Sequence, residues 1–127
     1  MIRAGLYIRV STDEQALHGL SLDSQREALT AYAKEHNMQI VDIYADEGIT
    51  ARKALNKRLQ FQRLISDVKA GKIDLILVTK LDRWFRNIKD YHNTQEILEK
   101  NNCNWRTIYE NYDTSTASGR LHINIML

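Results

Sequence analysis

The chain has 127 residues, 43% of them hydrophobic and 27% charged, with a formal net charge of +2. That fits one globular domain, at a size where roughly two thirds of the unfolded chain's surface is buried on folding. The charge is too small to argue for nucleic acid except through its placement. A single cysteine, Cys103, excludes an internal disulfide or a multi-cysteine zinc site and fits a reducing, cytoplasmic setting. No apolar stretch approaches the roughly 18 residues of a membrane span, and the N-terminus lacks the apolar centre of a signal peptide.

Residues 1–10 read as a strand, short and apolar without helical spacing. Ser21 suits a helix N-cap, with Leu22, Leu29, Tyr32, Ala33 and His36 following at near-helical spacing. Residues 38–44 alternate Ile40, Asp42 and Tyr44 against Val41 and Ile43, the pattern of a second strand. From Asp46 to Lys57 there is no apolar period, and Gly48 with Arg52, Lys53 and Lys57 points to a basic loop. Phe61, Leu64, Ile65 and Val68 line one face of a second helix, which Gly71 stops. "DLILVT" at 74–79 is a continuous apolar run, suited to a strand covered on both faces. A third helix over 88–100 turns Tyr91 and Leu98 inward, and a fourth strand over 103–109 precedes the polar "NYDTSTASG".

Strands alternating with helices predict a three-layer α/β domain, a mostly parallel sheet of about four strands flanked by helices. Ligands are then expected at the carboxyl ends of the strands. The closing "RLHINIML" opens a new apolar segment, as expected of the front part of a longer protein. The first strand end delivers Arg9, Ser11, Thr12 and Gln15. The second delivers Asp46 and Glu47, then Arg52, Lys53, Lys57 and Arg58. The third delivers Lys80, Asp82, Arg83 and Arg86. A hydroxyl, carboxylates and several arginines on one rim suit a phosphate ester, because guanidinium forks match phosphate oxygens and stabilise transition-state charge. A serine among them is a candidate covalent nucleophile.

Other chemistries lack their marks. His18, His36, His92 and His122 have no ligand spacing, so no metal site is expected. No G-x-S-x-G elbow and no phosphate-binding or dinucleotide glycine loop is present. Plainer readings stand beside the functional ones. Closing a turn is the commoner role of an isolated serine such as Ser11, and pairing with a carboxylate that of an inward arginine such as Arg9. Asp82 and Arg86, at i and i+4, have the spacing of a surface ion pair. Trp84 and Phe85 suit packing or oligomer contacts as well as base stacking.

Five stretches resemble, in order, the serine recombinases of the resolvase/invertase and integrase family. They are "YIRVSTDEQ" at 7–15, "SLDSQREAL" at 21–29, "YADEGIT" at 44–50, "KRLQFQRLISDVKAGKIDLILVTKLDRWFRN" at 57–87 and "YDTSTASGRL" at 112–121. The separation before "SLDSQ" and the "DEGITA" loop look like large serine integrases and transposon recombinases. The resemblance implies a resolvase-like catalytic domain over 1–127, ending at the start of a C-terminal dimerisation helix. It implies that Ser11 attacks a DNA phosphodiester to leave a 5′-phosphoserine, followed by strand exchange and religation without ATP. Arg9, Arg83 and Arg86 would bind the phosphate, with Arg58 a further active-site arginine. Tyr7, Gln15, Gln25, Asp46 and Asp82 match supporting polar positions, and Asp74 an acidic position of structural character. Basic Arg52, Lys53, Lys57 and Lys80 would lie along the DNA. Partners implied are double-stranded DNA and copies of the chain, as dimer and synaptic tetramer in the full-length protein and as monomer or weak dimer for these residues. No metal, nucleotide cofactor or membrane is implied. Within that fold, a silent DNA-binding or assembly module remains an alternative, as does a small-molecule phosphoesterase. The proton acceptor for Ser11 stays open, since arginine, with a pKa above roughly 12, is a poor base. Two departures stand out: Leu59 replaces a frequent proline, and Trp84–Phe85 replace a smaller pair.

Overall fold

A computed structural model describes residues 1–10, 21–47, 58–85 and 87–110. Strands β1 (Arg3–Val10), β2 (Gln39–Glu47), β3 (Leu75–Val78) and β4 (Asn104–Thr107) form one sheet in the order β2-β1-β3-β4, every pairing parallel. Parallel neighbours need crossovers. Helix α1 (Leu22–Glu35) joins β1 to β2, and α2 (Leu59–Lys69) joins β2 to β3. Helices α3 (Leu81–Trp84) and α4 (Ile88–Lys100) lie between β3 and β4.

The alternation of β1 decides what each sheet face meets. Ala4, Leu6 and Ile8 pack with Leu29 and Ala33 of α1 and with Leu75 and Leu77 of β3. Tyr7 faces the other way, into a larger cluster with Phe61, Leu64 and Val68 of α2 and Tyr91 and Leu98 of α4. A strand covered on both faces needs apolar residues on both, which is why residues 4–8 of β1 show no polar alternation. Gly5 marks a close approach on the α2 side. A Cβ there would lie 3.0 Å from the Ile73 side chain and 3.3 Å from that of Leu64.

Caps set the helix ends. The Ser21 hydroxyl accepts the Ser24 N–H, and the Asn87 side chain accepts the Asp90 N–H. Gly71, at φ +75°, takes the left-handed conformation that ends α2. The sequence reading needs four adjustments. β1 starts at Arg3, and β3 and β4 are shorter than expected. β2 runs on to Glu47, so Asp46 belongs to a strand rather than to the basic loop. On α1 the inward position next to Leu29 is Gln25, whereas His36 is exposed and stacks on Tyr32. The single turn α3 is too short to leave an apolar period in the sequence.

Candidate active site

The carboxyl ends of β1 and β2 are in register, with Arg9 paired to Asp46 and Tyr7 to Tyr44. Tyr7 and Asp46 meet through their side chains. The Tyr7 hydroxyl donates to Asp46 Oδ2 at 2.8 Å, and the same carboxylate accepts the N–H groups of Gln60 at 2.9 Å and Phe61 at 3.0 Å. Asp46 therefore caps α2 from a neighbouring strand. The residue at the cap position, Arg58, makes no such bond and sends its guanidinium inward.

Arg58 is only 1% exposed. Its Nε and Nη2 donate to the Tyr7 hydroxyl at 3.0 and 2.7 Å, and Nη2 also donates to the Trp84 carbonyl at 3.1 Å. The guanidinium lies over the rings of Phe61, Tyr7 and Phe85, at 4.8, 5.2 and 5.9 Å from their centroids. Such contacts offset part of the cost of burying a cation. Burial pushes the Tyr7 hydroxyl's pKa up; Arg58 opposes the shift and Asp46 adds to it. Tyr7 thus remains a neutral phenol, accepting from Arg58 while donating to Asp46.

Arg9 is fully buried at the same end of β1. Its Nη2 donates to the Asp82 backbone carbonyl, while Gln25 Nε2 donates to the Arg9 carbonyl at 3.2 Å. Two guanidiniums, of Arg9 and Arg58, thus grip the carbonyls of one short turn, α3, which itself carries Arg83, 8% exposed. Asp82 and Lys80 on this turn are exposed. The fold brings together Tyr7, Arg9, Gln25, Asp46, Arg58, Asp82 and Arg83. Ser11, Gln15, Arg52, Lys53, Lys57 and Arg86 lie outside the described residues. Asp74 sits at the opposite, amino-terminal edge of the sheet, hydrogen-bonded to Arg3.

Of two further features, only the second had not been expected. Trp84 and Phe85 are buried and pack with Phe61 around Arg58, the first of the plainer readings given for them. Glu110, just past β4, accepts the Leu81 N–H at 2.6 Å. A carboxylate 29 positions from its partner leaves no local signal in the sequence.

Residues 4–127 match the family profile described as "Resolvase, N terminal domain". The chain is 33% identical over 120 residues to the transposon Tn917 resolvase of Enterococcus faecalis, an overlap of 94% of this chain and 56% of that protein. It therefore spans about half the length of that relative. Among solved structures, the N-terminal catalytic domain of TP901-1 integrase superposes with a TM-score of 0.79 at 34% identity, over 98% of this chain and 90% of that one. A resolvase family site-specific recombinase from Streptococcus pneumoniae gives 0.77 at 32% identity, over 99% and 83%. A four-stranded parallel sheet flanked by helices is thus the fold shared with recombinase catalytic domains. The chain belongs to the resolvase N-terminal domain family, the serine recombinases.

Proposed function

We propose that this domain breaks and rejoins DNA phosphodiesters through Ser11. The observation that carries the reading is the convergence of Arg9, Arg58 and Arg83 on one turn at the carboxyl ends of β1 and β3. Three cations gathered in a largely buried region favour an anion among them, and a phosphodiester matches guanidinium geometry. Ser11 follows Arg9 by two residues in sequence, and in this reading it is the attacking group. Its Oγ forms a bond to phosphorus as the bond from phosphorus to the 3′ oxygen breaks. The serine proton leaves, and the 3′ oxygen departs as a hydroxyl. The resulting 5′-phosphoserine conserves the ester, so the reverse attack by a 3′-hydroxyl religates DNA without ATP. Phosphoryl transfer asks mainly for positioning and charge stabilisation, which Arg9, Arg83 and Arg86 would supply. Asp82 would orient these arginines or handle a proton. Arg52, Lys53, Lys57 and Lys80 would follow the DNA backbone, and strand exchange would proceed in dimers joined as tetramers.

The test is to express the domain within its complete open reading frame and incubate it with DNA flanking its own gene. A protein–DNA adduct resistant to denaturation is expected, and Ser11→Ala should abolish it. An adduct that survives Ser11→Ala excludes Ser11 as the nucleophile.

A further inference from the structure

We propose that Glu110 is a positioning residue for the arginine-bearing turn, setting where Arg83 meets a phosphate by holding the first N–H of α3. The inference rests on the reading of Arg83 as a phosphate ligand. A helix of one turn has no intrahelical partners for its leading N–H groups and too few bonds to persist alone. Lys80, at the cap position of α3, makes no side-chain cap bond. The cap comes instead from Glu110, whose carboxylate accepts the Leu81 N–H at 2.6 Å.

Glu110 is itself fixed. Beyond the ends of the strands, Ile108 N–H donates to the Val78 carbonyl at 3.0 Å and Tyr109 N–H to the Thr79 carbonyl at 3.1 Å. The Thr107 hydroxyl then donates to the Glu110 carbonyl at 2.7 Å. These bonds carry the carboxylate to the start of α3. At the other end of the turn, Arg9 and Arg58 donate to the carbonyls of Asp82 and Trp84. An anion at the N–H end and cations at the carbonyl end match the direction of the peptide dipoles. The turn is clamped from both ends, and Glu110 supplies the anionic half.

Charge and geometry predict opposite effects on DNA affinity. Loss of a carboxylate beside a polyanion should tighten binding, whereas loss of the cap should weaken it by displacing Arg83. We would measure binding of the 127-residue chain to a random-sequence 20-base-pair duplex by fluorescence anisotropy across a salt series. Glu110→Asp keeps the charge but withdraws the carboxylate by one bond, roughly 1.5 Å. It is expected to weaken binding and to lower the slope of log affinity against log salt by about 0.9, one phosphate contact. Arg83→Ala should lower the slope equally, and the double variant should lose nothing more. Glu110→Gln keeps an acceptor oxygen and should retain the wild-type slope. Weak binding by the Gln variant with normal binding by the Asp variant would overturn the proposal. If Arg83→Ala leaves the slope unchanged, the phosphate reading of Arg83 has failed instead. The Leu81 amide proton then decides the cap: it should be shifted downfield in wild type and Glu110→Gln, and upfield of both in Glu110→Asp. An identical shift in all three refutes the cap.

Discussion

Tyr7 and Arg58, 51 positions apart, are joined at one oxygen: the phenol accepts two N–H bonds from the guanidinium and donates its own hydrogen to Asp46. Tyr7→Phe removes that oxygen with little change in shape. Arg58 would be left with a buried, less satisfied charge and Asp46 with one donor fewer. A destabilisation of about 2–3 kcal/mol follows from the cost of orphaning a buried charged donor. It should appear as a lower urea midpoint with an unchanged slope. A variant within 0.5 kcal/mol of wild type, roughly the range of neutral surface changes, would mean that Arg58 finds another acceptor.

Asp46 does two jobs, capping α2 and receiving Tyr7. Asp46→Ala should therefore cost about 2–4 kcal/mol, more than the roughly 1 kcal/mol of an ordinary cap. Asp46→Asn retains one acceptor oxygen and should cost less. Combined with Tyr7→Phe, the alanine variant should fall short of additivity by at least about 0.5 kcal/mol, as residues in one network do. Strict additivity in urea denaturation would show that the two bonds are energetically independent.

The sequence made the layers legible because apolar runs or alternation mark the strands and helical spacing marks the long helices. It also made the charged residues gathered at the rim legible, since Arg9, Asp46, Arg58 and Arg83 occupy strand ends or the segments following them. What it hid were contacts made between such ends. The sequence presents Arg58 as a rim cation, yet its side chain turns under α3 into an aromatic enclosure that the packing of α2 and the α3 turn against β1 creates. Asp46 was read as a loop residue because β2 loses its apolar alternation there. The strand persists because β1 remains beside it through Val10 paired with Glu47. Glu110 had no local mark at all, its partner being supplied by β3–β4 pairing.

Arg3 and Asp74 fasten the amino-terminal ends of β1 and β3. The carboxylate accepts Arg3 N–H at 2.9 Å, Nε at 3.0 Å and Nη2 at 2.8 Å. The side-chain bond to Arg3, then its backbone bond, hold the Asp74 pKa at about 2. An unfolded aspartate titrates near roughly 3.9. A pKa depressed in the folded state gives stability that is complete above the unfolded value and disappears as pH falls through the folded one. The stability advantage of wild type over Asp74→Asn should thus be constant above about pH 5 and shrink between about pH 4 and pH 2. Both side chains are about two-fifths exposed, so screening keeps the advantage small and added salt should reduce it. Urea midpoints of the two proteins across pH 2–7 test this; a gap that widens on acidification would contradict it.

Leu59 occupies the first position of α2 and is 70% exposed. Proline is favoured at that position, where its fixed φ suits a helix start and its missing N–H is not needed. The N–H groups that Asp46 binds belong to Gln60 and Phe61, so they survive the change. Leu59→Pro should stabilise the chain by about 0.4–1 kcal/mol, mainly by restricting the unfolded state. Thermal melting decides the sign. A lower Tm would mean that Arg58, at ψ 84°, must shift to precede proline.

Trp84 tests whether the aromatic pair beside Arg83 packs the core or stacks on bases. Its ring is fully buried, with centroids 4.7 Å from Phe85, 5.6 Å from Phe61 and 5.7 Å from Tyr7. A ring that stacks on DNA must be reachable by a base; this one is enclosed by the side chains that surround Arg58. The other tryptophan, Trp105, is also buried, and its indole N–H bonds Gln95. Trp105→Phe would leave Trp84 as the sole indole emitter. Its emission should be blue-shifted, resist quenching by iodide, and stay unchanged when duplex DNA is added. Trp84→Leu should cost about 2–4 kcal/mol, in the range of large-to-small core substitutions. It should also loosen Arg58, whose acceptor carbonyl belongs to residue 84. Quenching of the Trp84 emission by DNA would instead make the ring a base-stacking group and require the turn to open on binding.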